Sequence, residues 1–158
     1  MITTAIQVIA IASVLANAVV YGTDACFALI TRSVYDKLDD RTVTISAGWG
    51  HYYGDRRMPI VGIGGVVTAV AATLLAAIGG HVSAAIAAGI AVIALVTWLG
   101  IYVRVAKPVN TQQTAAAKSG IIPSNARALQ DKWNSVIIGR VALQFIAVGA
   151  LCAAIALA

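Results

Sequence analysis

Four apolar runs separated by polar segments organise the chain, covering residues 4–31, 59–78, 82–103 and 134–157. At 1.5 Å per residue each can cross a hydrocarbon core of roughly 30 Å. The first, at ~40 Å by the same rise, is longer than that core and is expected to tilt or project on its C-terminal side. Pro59 suits the first position of the second helix, and Gly79-Gly80 predicts a tight turn into the third. The expected fold is all-α: an integral membrane four-helix up-down bundle with two cytoplasmic connections, one domain over residues 1–158.

The second and third runs are dense in small residues: Gly62, Gly65 and Ala69, then Ala84, Ala85, Ala88 and Gly89. Spaced four apart, such residues let membrane helices approach closely, because packing drives their association in lipid. Ser33–Met58 and Ala106–Lys132 look less regular. Gly48, Gly50 and Gly54 are expected to break any helix in the first of them. Pro108 and Pro123 interrupt the second, with Ser124 placed to cap an extended fourth helix. Thr4–Leu15 followed by Ala16-Asn17-Ala18 imitates a secretory leader, but no basic segment precedes it and the apolar run continues, so it reads as a retained helix.

Composition supports this picture. The chain is 60% hydrophobic and 11% charged, against about 25% charged for a soluble domain. Its formal charge of +5 raises nucleic acid as a partner. Ten of the eleven basic residues, however, sit in or beside the two long connections, which favours an anionic membrane surface and no nucleic acid. The same distribution places both connections in the cytoplasm and both termini outside, in a multi-pass cell-membrane protein. A homo-oligomeric or membrane-complex partner is left open. Cys26 and Cys152 fall toward opposite membrane faces and read as small packing residues.

Polar side chains inside the spans supply the candidate chemistry. Asn17, Tyr21 and Asp24 share one face of the first helix; Trp133, Arg140 and Gln144 share one face of the fourth. Asp24 lies ~10 Å and Arg140 ~9 Å inside the same boundary, at 1.5 Å per residue. An intramembrane guanidinium needs a partner, so the first and fourth helices are expected to face each other through an Asp24–Arg140 pair. Such a pair either fixes helix register or belongs to a polar pocket opening to the cytoplasm. Metal chemistry is not expected: His51 and His81 belong to opposite membrane faces, and no metal or nucleotide motif is present. His81 reads as a turn residue.

The motifs Trp49-Gly-His-Tyr-Tyr-Gly-Asp-Arg-Arg-Met-Pro59 and Pro108-Val109-Asn110, with Leu129, Trp133 and Arg140 on the fourth helix, resemble those of the anthrone oxygenase-like family of small integral membrane proteins. The resemblance implies a four-helix bundle. In the family's characterised branch it implies oxidation of an anthrone to an anthraquinone by O₂ as co-substrate, a monooxygenase-like oxidoreductase reaction without metal or flavin. Matched residue by residue, it points to His51, Asn110, Trp133 and Arg140. Asp24 and Tyr21 come from the depth argument instead. The expected assignment is His51, Asp24 and Arg140 as catalytic groups and Asn17, Tyr21, Asn110, Trp133 and Gln144 as contacts to a small hydrophobic aromatic substrate. A non-enzymatic accessory or scaffold subunit is the alternative.

Overall fold

A computed structural model describes all residues, Met1–Ala158. It is all-helical: α1 (Ile2–Tyr35), α2 (Asp40–Ile78), α3 (Val82–Ser119) and α4 (Ala126–Leu157). At 34, 39, 38 and 32 residues, all four are long and apolar enough to cross a membrane. They are also longer than the roughly 20 residues a bilayer requires.

Four expectations about the connections are corrected. Gly48, Gly50 and Gly54 do not break the chain; they lie within the continuous α2. Pro59 is inside that helix, not at its start. Its ring leaves the carbonyl of Asp55 without the usual helical donor, a cost that tertiary packing overrides. α3 likewise runs past residue 103 to Ser119, where Gly120, at φ 70°, closes it through its N–H to the Ala116 carbonyl. α4 starts at Ala126, so Ser124 is not its flanking residue; the first helical bond from that end runs from the Leu129 N–H to the Asn125 carbonyl.

Two helices contain a wide π-turn. In α1 the N–H of Arg32 bonds back to Phe27, and in α3 that of Lys107 bonds back to Tyr102. Each turn spends one extra residue and shifts the phase of everything after it. In α3 the shift comes just before Pro108, whose missing N–H makes a regular α-turn there impossible.

The chain divides into two compact units, each drawing on all four helices. The first comprises Met1–Gly22, Pro59–Trp98 and Ala142–Ala158. None of the six acidic and eleven basic residues falls in it. Its core is rich in alanine, with Ile6, Leu95 and Leu151 as its largest fully buried side chains. Ala10, Ala69, Ala72, Ala84, Ala91, Ala147 and Ala154 are buried, while Val8, Leu15, Ile60, Ile63, Ile86, Ile93 and Phe145 face outward. Water would penalise such a surface. Lipid does not, and small residues inside give the close contact that holds membrane helices together. The tightest approach is at Gly65, whose carbonyl accepts from Ser13 Oγ at 2.8 Å.

The second unit, Thr23–Met58 and Leu99–Val141, holds every charged residue. Gly48 is the reason α2 and α3 meet there. A Cβ at that position would stand 2.2 Å from the backbone oxygen of Gln113 and 2.6 Å from Ala117 Cβ. Gly50, two residues on, has open space around it. Gly48→Ala is therefore expected to destabilise by about 1–3 kcal/mol through overpacking. Gly50→Ala should be neutral or stabilise by up to about 1 kcal/mol through helix propensity. Thermal unfolding in detergent checks both, and equal shifts would contradict the packing argument.

Candidate functional site

The second unit gathers a buried polar network on the faces of α1, α2, α3 and α4. Arg140 and Asp24 form a bidentate pair: Nη2 donates to Oδ1 at 2.9 Å and Nε to Oδ2 at 3.1 Å. Both side chains are under 10% exposed, at 7% and 6%. The matched-depth expectation for this pair holds. Planar two-point contact is the geometry in which an arginine–carboxylate pair best offsets its desolvation.

Trp133 is the centre of the arrangement. Its ring lies 4.3 Å from Phe27, edge to face, and 5.7 Å from the imidazole of His51. The Arg140 guanidinium carbon is 5.4 Å from the same ring, within cation–π range. Trp133 Nε1 donates to Asn110 Oδ1 at 3.1 Å, and Asn110 Nδ2 donates to Asp55 Oδ1 at 3.0 Å. Tyr102 donates its hydroxyl to the same Asp55 oxygen at 2.8 Å. Phe27 and Tyr102 open the two π-turns, so both rings reach this cluster from the points where their helices change phase.

A second chain of contacts runs through amides. Gln113 Nε2 donates to Gln130 Oε1 at 3.0 Å, and Gln130 Nε2 to Asn134 Oδ1 at 2.9 Å. All three residues are buried. His51 is half-buried, one helical turn before Asp55 on α2 and so on the same face. It lies before the apolar stretch that begins at Pro59. Burial is the main influence on its imidazole and pulls it down to about 4, with the Arg140 charge acting the same way; Asp55 and the Gln113 side chain oppose them. His51 is therefore neutral at physiological pH, with one ring nitrogen free to accept a proton. At the exposed start of α2, Thr42 donates to Asp39 through its hydroxyl at 2.6 Å and its backbone N–H at 2.9 Å, which lowers the Asp39 carboxyl.

Of the expected site residues, the second unit brings together His51, Asp24, Arg140, Asn110 and Trp133. Asn17, Tyr21 and Gln144 belong to the first unit. Asn17 is fully engaged in helix packing there. Its Nδ2 donates to the Ser13 carbonyl at 2.9 Å, and a Cβ on Gly65 would come within 2.7 Å of it. Tyr21 packs against Phe145 at 6.2 Å. Gln144 is buried, and its Oε1 has no protein donor. Thr3 and His81 meet at 3.4 Å beside the Gly79-Gly80 turn.

Sequence reasoning missed Asp55, Tyr102, Gln113, Gln130 and Asn134. One signal was present: Gln130, Trp133, Ile137 and Arg140 recur at helical spacing on α4. Nowhere do three or more His, Cys, Asp or Glu side chains converge in a way that could hold a metal. A shallow surface groove of about 440 Å³ is lined by Gln112, Ala115, Ala116, Ser119, Ile121 and Pro123, none of them in the network. Comparisons with protein families, with curated proteins and with solved structures find no match.

Proposed function

We propose that this chain is a membrane-embedded oxidoreductase of the anthrone oxygenase-like kind, oxidising a hydrophobic phenolic or anthrone-type compound with O₂ and no cofactor. The supporting observation is His51. A neutral, half-buried imidazole stands against Trp133, and the same indole carries a fixed guanidinium. An unprotonated imidazole can accept a proton from an acidic ring methylene, and the guanidinium, by stabilising the resulting anion, offsets the weak basicity that burial gives the ring.

In this reading His51 takes the proton, and the electron-rich anion passes electrons to O₂. One oxygen atom joins the ring carbon and the other leaves as water with the two methylene hydrogens, so anthrone plus O₂ gives anthraquinone plus water. Asp55, held by Tyr102 and Asn110, supports His51 electrostatically. Arg140 favours the oxyanion. Asp24 anchors Arg140 with both oxygens and is not assigned the base role. Trp133, buried against Phe27, holds His51 and Arg140 beside one another. The two segments that carry ten of the eleven basic residues lie on the cytoplasmic side of the cell membrane, with both termini outside.

One observation favours the accessory-subunit reading: Asp24 and Arg140 satisfy each other as a helix-register pair does. Oxygen uptake separates the two. Purified protein in nanodiscs with an anthrone should consume O₂ and form quinone in equal amounts, saturably and well above the protein-free autoxidation rate. Uptake no faster than that control, from protein that melts cooperatively, ends the enzyme reading and leaves the accessory one.

A further inference from the structure

A group of aromatic and basic side chains outside the buried network forms a second site. Trp49, Tyr52 and Tyr53 cluster on α2, with ring centroids 5.4 Å, 6.4 Å and 5.0 Å apart pairwise. Trp49 and Tyr53 are exposed. Three cations lie on these rings. The Arg56 guanidinium is 3.7 Å and Lys118 Nζ 4.5 Å from the Tyr52 centroid, and the Arg57 guanidinium is 4.8 Å from that of Tyr53. Arg56 Nη1 also donates to the Tyr52 carbonyl at 3.0 Å, which fixes its position.

These cations have no carboxylate partner. The chain's salt bridges join Arg127 to Asp40 and Arg140 to Asp24. Asp55, the neighbour of Arg56 in sequence, is turned to Tyr102 and Asn110. Arg56 and Lys118 thus share a single tyrosine ring without a counterion. Cations gathered around one ring without a carboxylate favour an anion beside them. The placement along α2 says which anion. Arg56 and Arg57 precede the apolar stretch beginning at Pro59 by two or three residues, ~3–5 Å at 1.5 Å per residue. Tyr52, on whose ring Arg56 and Lys118 lie, precedes it by seven residues, ~10 Å by the same rise. The group therefore extends from the headgroup layer to its outer edge, the region where tyrosine and tryptophan also concentrate.

We infer that Arg56, Arg57 and Lys118, set on the Tyr52 and Tyr53 rings, bind the phosphate of an anionic phospholipid headgroup. The guanidiniums supply forked donors to phosphate oxygens, and Lys118 adds a point charge. The tyrosine rings gather the three cations into one patch. It shares no residue with the buried network and stands whether or not that network is catalytic.

Native mass spectrometry of the detergent-purified protein with equimolar phosphatidylglycerol and phosphatidylcholine tests this. The wild type should retain phosphatidylglycerol preferentially. Arg56→Gln/Arg57→Gln/Lys118→Gln should lose that preference by about a hundredfold, at about fivefold per cation near a charged surface. Tyr52→Leu/Tyr53→Leu keeps every charge and should still weaken the preference. All the substitutions are at exposed or half-exposed positions, and an unchanged melting temperature confirms that each variant folds. Three results overturn the proposal. They are no headgroup preference in the wild type, an undiminished preference in either variant, and displacement of the lipid by inorganic phosphate at equal concentration, which would mark a site for a soluble anion.

Discussion

Arg140→Leu is expected to cost about 3–5 kcal/mol of folding stability, because it strands the Asp24 carboxylate in a buried position without a counter-charge. Asp24→Leu should cost about the same for the mirror reason. The double variant Asp24→Leu/Arg140→Leu is expected to recover most of the loss, since an apolar pair of similar size replaces a desolvated ion pair at little net cost. Thermal unfolding of the four proteins in one detergent gives the coupling energy directly. Additive losses would mean that each residue is held by different neighbours. The double variant also separates structure from chemistry: if it folds but no longer supports oxygen uptake, the pair does more than set helix register.

His51→Asn is expected to lower anthrone turnover by about 10²–10⁴-fold, the range general-base catalysis supplies. It should leave the melting temperature at neutral pH close to that of the wild type. Asp55→Asn should act in the same direction and less strongly, since Asp55 supports the imidazole and does not touch the reacting carbon. pH gives a further check. The imidazole sits near 4 in the folded protein against an ordinary value of 6.5. The unfolded chain therefore takes up the proton first as pH falls. Stability that is complete above about pH 6.5 should decline through the interval down to about pH 4 and then level off. His51→Asn should flatten that part of the profile. Turnover unchanged in His51→Asn would remove the histidine from the mechanism.

The apolar runs were legible because a bilayer admits little else: long uncharged stretches must be helices. The Asp24–Arg140 pair was legible for a similar reason. A guanidinium in a span demands a partner, and helix rise alone gave the two residues equal depth. Asp55 and the Gln113–Gln130–Asn134 chain were hidden by the weight given to Gly48, Gly50, Gly54 and Pro108 as breakers. Gly48 is present because α3 touches α2 there, which no local propensity expresses. Asn17 misled in the opposite way. It shares a helical face with Asp24, but its amide is taken up by Ser13 and the close approach of Gly65. Equal spacing along a helix says which way a side chain points, not what it meets.

The π-turns at Phe27–Thr31 and Tyr102–Ala106 carry a consequence for anyone altering this chain. Each works like a spacer washer, advancing the rest of its helix by one position around the axis. Asn110 and Gln113 come after the washer on α3, and they reach Trp133 and Gln130 only because of it. Winding Tyr102–Ala106 as regular α-helix with no residue removed would swing both amides roughly 100° away from their partners, whereas deleting one residue there would restore a straight rod and keep them in phase. The network therefore depends on how the backbone winds at two points. Transplanting it into an idealised bundle means either carrying both irregular turns along with the side chains or leaving out one residue at each.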